Sequence, residues 1–109
     1  MYAVAVGNGT GAEDATSVTI VDDLSEDLTE GIATTTEGVA DILKPDTVTF
    51  PTLGSLDIPN AADESQLTIQ NCGGTVSNAA FGGAPEVNQN IGTCAADETG
   101  IIVYFVTVN

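Results

Sequence analysis

Ile101-Ile102-Val103-Tyr104-Phe105-Val106 opens the most apolar stretch of the chain, which runs on through Thr107-Val108. A strand with one wet face alternates apolar and polar side chains. An unbroken apolar run of this length belongs instead to a strand covered on both faces. The stretch therefore predicts a central strand over 101–108, with a sheet neighbour on each side and a layer above and below. A sheet with a helix on one side would supply that cover.

Working outward, shorter runs read as further strands: Tyr2–Val6, Ser17–Val21, Thr47–Phe50, Gly54–Ile58, Gln66–Gln70 and Thr75–Val76. The first two flank the flexible turn Gly7-Asn8-Gly9-Thr10-Gly11, which predicts a hairpin with a long acidic tip. Between Asp23 and Leu43, the residues Leu24, Leu28, Ile32, Thr35, Val39, Ile42 and Leu43 fall on one helical stripe roughly 100° wide. Asp23 with Glu26 fits a capping box, and acidic residues crowd the first turns. Lys44 suits a helix C-terminus, and Pro45 stops the helix. Gly31, Gly38 and Thr34-Thr35-Thr36 oppose it. Asn78–Gly92, rich in Ala, Gly, Asn and Pro, reads as a long loop that contacts something. The expected fold is a β-rich α+β domain spanning 1–109: an antiparallel sheet or small sandwich with one amphipathic helix at about 23–43.

The charge balance narrows function by exclusion. One cation, Lys44, stands against 16 carboxylates, with no arginine or histidine, for a formal charge of -15. Phosphate backbones and anionic membrane surfaces need Lys or Arg, so neither nucleic acid nor membrane is an expected partner. Without histidine the commonest general base and metal ligand are missing. Such acidity is tolerable where salt screens it or where cations sit between subunits. In composition the chain is similar to proteins of halophilic microbes and their viruses. Met1–Val6 lacks the positive segment of a secretion signal, so the chain is expected either to be exported or released without a classical signal or to stay in the cytoplasm until lysis.

Candidate chemistry is sparse. Cys72 and Cys94 are too few for a zinc site lacking histidine, and a disulfide between them is the favoured pairing. Closing a loop of about 20 residues would contribute roughly 3 kcal/mol and imply an oxidising location. Asp22, Asp23, Glu26 and Asp27 could hold calcium if the turn between strand and helix folds them together. Gly7–Ala12 formally fits G-x-G-x-x-A, but too few residues follow before the next strand to form the helix that a dinucleotide needs. Paired carboxylates could act on glycosides, but such sites lean on aromatic platforms, and aromatics make up only 5% of the chain, with no Trp. Either cysteine as a nucleophile would need a base that the chain lacks. Lys44 could form an isopeptide link, though a helix-end role explains it more simply. Asn8-Gly9-Thr10 is a glycosylation sequon, meaningful only on an exported chain.

The expectation is a non-catalytic structural protein with no cofactor beyond possible Ca2+. It would form homo-oligomers or bind a capsid or filament protein. The first reading is a virion component, a capsid decoration or tail protein of a phage or haloarchaeal virus. The alternatives are an extracellular, pilus-like filament subunit joined by strand addition through Tyr2–Val6 or Ile101–Val108, and an acidic calcium-binding interaction module. The expected location is the virion or the extracellular space. Burial of strand edges and of loop Asn78–Gly92 between subunits would drive assembly.

Overall fold

The computed structural model describes residues 1–31, 44–59 and 64–109. Among these residues there are ten strands: β1 (Tyr2–Gly7), β2 (Ala15–Asp22), β3 (Leu28–Glu30), β4 (Thr47–Phe50), β5 (Gly54–Asp57), β6 (Leu67–Gln70), β7 (Val76–Ala79), β8 (Val87–Cys94), β9 (Thr99–Tyr104) and β10 (Val106–Val108). Among the described residues there is no helix, and so none long and apolar enough to cross a membrane. Every pairing is antiparallel.

The apolar run forms the centre, as its composition requires. Strand β9 lies between β1 and β6 in a four-stranded sheet of order β1-β9-β6-β7. Its side chains alternate between two cores. Ile102 and Tyr104 face one side with Val4, Val6, Leu67 and Ile69, against Ile20 of β2 and Val87, Ile91 and Cys94 of β8. Ile101, Val103 and Phe105 face the other with Ala3 and Ala5, against Val48, Phe50 and Ile58. The β2-β8 ribbon thus covers one face and the β4-β5 hairpin covers the other. The result is a small sandwich-like β-fold.

Four expectations need correction. The cover expected from a helix comes from a hairpin. Within 23–43 the described part is not helical: Leu28–Glu30 pairs with Val106–Val108 as a strand. Gly31, at φ 73°, ends that strand in a left-handed conformation no helix contains. The remainder of the helix reading, 32–43, lies outside the described residues.

The second correction concerns the hairpin expected of the first two strands. Tyr2–Gly7 pairs with β9, whereas Ala15–Asp22 pairs with β8, so the Gly7–Gly11 segment crosses between layers. Third, most of Asn78–Gly92 is not loop. Strand β7 takes Asn78 and Ala79, and β8 begins at Val87, placing fully buried Val87 and Ile91 in the core rather than in a subunit contact. Fourth, the terminal strand breaks at Phe105. There the chain leaves the large sheet to pair with β3, and Gly31 N–H bonds the Phe105 carbonyl at 2.8 Å.

Two glycines are required, one by its backbone conformation and one by packing. Gly92 (φ 87°) sits at the irregularity where β8 meets Val18, beside Ser17 at φ 52°. Gly100 is different, because it is steric. A β-carbon there would stand 2.7 Å from Ile91 Cδ1, 3.1 Å from Cys72 Sγ and 3.3 Å from the Gln70 carbonyl.

Candidate functional site

The four carboxylates singled out as calcium ligands lie at the end of β2 and in the segment after it, and they do not share one environment. Asp22, half-buried at the end of β2, accepts a hydrogen bond from the phenol of Tyr104. That phenol is buried, stacks on Tyr2 at 5.5 Å between ring centroids, and meets Phe81 edge-on at 6.2 Å. Burial pushes the Tyr104 phenol well above its ordinary value. The Asp22 carboxylate adds to this, both as acceptor and as a negative charge. Asp23 is exposed beside Glu86. Glu26 and Asp27 are exposed in the turn before β3, where their backbone carbonyls accept bonds from the Asn109 side chain and backbone N–H. Among the described residues no three acidic or cysteine side chains converge into a metal-holding group. No observation there favours calcium over solvated carboxylates.

Glu86 was not singled out by sequence reasoning. Its Oε2 accepts the Leu24 N–H at 2.9 Å, and this bond holds its carboxyl below the ordinary range. It ties the segment after β2 to the start of β8. A glutamate between Pro85 and Val87 gives no sequence signal of that role, because its partner lies 62 residues away.

Cys72 and Cys94 form a disulfide, with Cα atoms 5.0 Å apart, within the usual range for a bridge. Both are buried, and the bridge packs above Gly100. Cys72 N–H bonds the Ile91 carbonyl at 3.1 Å, so the bridge reinforces contact between β8 and the turn after β6.

Asn8 is a structural lock. Its Nδ2 donates to the Glu13 carbonyl at 2.7 Å and the Cys94 carbonyl at 2.8 Å. Its backbone N–H donates to Glu98, and its carbonyl accepts from Asp97. Thr10 Oγ1 is bonded to Asp97 Oδ1. The sequon's amide nitrogen is therefore committed to the chain's own backbone. The glycine-rich segment around it leads into β2 and not into a helix that could cradle phosphate.

A recess of about 230 Å³ lies where β5 meets the large sheet, lined by Leu56, Asp57, Gln70, Thr99 and Ile101. It is smaller than the ~300 Å³ at the low end of small-molecule sites, and Asp57 is its only ionisable lining group.

Among the described residues strand β1 pairs with β9 alone, along six residues without a charge, a proline or a register shift. The other described edges are shorter, bulged, charged or occupied. Strand β2 is bulged near Val18, and β3 and β5 carry Glu30 and Asp57. The outer edge of β8 is taken at Ile91 by Cys72, and β4, β7 and β10 span 4, 4 and 3 residues.

Comparison with protein-family models, with curated proteins and with solved structures found no match.

Proposed function

We propose that this protein is a non-catalytic structural building block that assembles with copies of itself or decorates a larger protein shell. The role is that of a virion component, such as a capsid decoration or tail protein of a phage or haloarchaeal virus. The observation that carries this reading is the regular, uncharged rim strand β1 on a molecule of charge -15. Soluble proteins normally blunt such a rim with charges, prolines or bulges, because it templates pairing with another strand.

Two further features support the reading. Among the described residues every buried side-chain polar atom is hydrogen-bonded, which suits a rigid module with no buried group held ready for chemistry. The buried disulfide suits an oxidising final location, a virion or extracellular setting. Salt or intersubunit cations would screen the surface carboxylates on assembly.

A second reading, the extracellular filament joined by strand addition, draws on the same rim. It draws on Tyr2–Val6, because β9 already has a neighbour on each side and β10, only three residues long, already pairs with β3. Negative-stain microscopy of the purified chain at low and high salt separates the two. Closed rings or discrete oligomers are expected for the shell component and open filaments for the second reading. A field of monomers at both salts would contradict both.

A further inference from the structure

The hydrogen-bond phase of β1 tells which of its backbone groups face outward. Asn8 N–H donates to the Glu98 carbonyl at 2.9 Å, in line with the register that runs from Tyr2↔Tyr104 to Gly7↔Thr99. Bonded positions alternate along an antiparallel ladder, so Tyr2, Val4 and Val6 direct their N–H and C=O groups at β9. Ala3, Ala5 and Gly7 direct theirs away from the sheet, where no described strand receives them. The chemical complement of such a row is another extended strand, not a small ligand or a helix.

We propose that this strand is β1 of a second copy, paired antiparallel about a two-fold axis through Ala5. The inference rests on the reading of the protein as a self-assembling block and names the contact. Symmetry, continuity of the core and charge select the occupant. A two-fold at Ala5 pairs Ala3 with Gly7 of the copy and Ala5 with its own equivalent, so every outward group is matched by an identical surface. The same operation sets Val4 against Val6 of the copy, on the face that carries the larger core, and so continues that core across the junction. Finally, paired strands approach to about 4.8 Å. Two molecules of charge -15 meet least repulsion along a strand that carries no carboxylate, and β1 carries none. The product is one continuous eight-stranded sheet, built from the four strands of each copy. Its two-fold closes, giving a dimer as the unit from which larger assemblies grow.

The test compares the full chain with its Ala5→Pro variant by sedimentation equilibrium, and follows amide hydrogen exchange of the unaltered chain at rising concentration. Because the Ala5 N–H points outward, proline there removes no bond to β9, and the variant is expected to fold although its ring must fit against the second core. The expected result is a dimer whose affinity rises with salt, falls by roughly tenfold or more in Ala5→Pro, and protects the amides of Ala3, Ala5 and Gly7 on association. Should the variant fail to fold, protection of those three amides in the unaltered chain decides the matter. Association that proceeds while the three amides exchange as fast as in the monomer overturns this contact and leaves self-assembly standing. Association that weakens as salt rises also overturns it, since contact between two copies of charge -15 must strengthen on screening. A chain that stays monomeric at every concentration and salt overturns both this contact and the building-block reading.

Discussion

The phenol of Tyr104 on β9 is hydrogen-bonded to the carboxylate of Asp22 at the end of β2, across 82 residues of sequence. One side chain thereby ties the middle of the large sheet to the ribbon that covers it, at the point where Tyr2 and Phe81 enclose the ring. Tyr104→Phe keeps the ring packing but leaves Asp22 without its donor. A loss of about 1–3 kcal/mol is expected, read as a lower urea midpoint with an unchanged slope.

The same pair sets the alkaline limit. The folded state holds the Tyr104 proton more tightly than the unfolded chain, whose phenol titrates near 10.0. Its contribution is therefore complete below pH 10 and is lost as pH rises above that value. Thermal melts across alkaline pH are expected to fall more steeply for the native sequence than for Tyr104→Phe.

Glu86 contributes to the opposite limb. Its folded carboxyl lies below the ordinary 4.5 because Leu24 N–H favours the charged form. That contribution is present above pH 4.5 and is lost as pH falls below it. Glu86→Gln is expected to flatten the acid side of the melting profile, with amide exchange at Leu24 accelerated at neutral pH.

Gly100 and the disulfide form one packing unit. Gly100→Ala drives a methyl into Ile91 and Cys72, and a loss of roughly 1–3 kcal/mol is expected. Replacing Cys72 and Cys94 together by Ala is expected to cost about 2–5 kcal/mol. Urea titrations of the two variants measure both.

With one cation on the chain, surface repulsion outweighs surface pairing. Sodium chloride is expected to raise the urea midpoint steadily toward molar concentration, through screening. Calcium at millimolar levels is expected to add no more than its ionic strength does. A saturable rise in melting temperature at low calcium would instead show a specific site.

The centre of this fold was readable because Ile101–Phe105 is apolar on both faces, a pattern that few structures other than a covered strand can satisfy. What covered it was not. The stripe from Leu24 to Leu43 has helical spacing, yet the bonds that place Leu28–Glu30 in a ladder come from Val106–Val108, remote in sequence. Strand β8 was hidden for a local reason. Asn88 and Asn90 point to solvent and Gly92 breaks the ladder, so the loop-like composition masked buried Val87, Ile91 and Cys94. Among the candidate site residues, the Cys72–Cys94 bridge followed from simple arithmetic. The partners of Asp22 and Glu86 did not, since both are long-range contacts that periodicity cannot register.

Sedimentation velocity of the purified chain, from micromolar to millimolar concentration at low and at high salt, tests most directly whether this molecule works by packing against itself. The account predicts a monomer boundary that gives way to dimers and larger species, at lower concentration when salt is high. A lone monomer boundary throughout both ranges would contradict it.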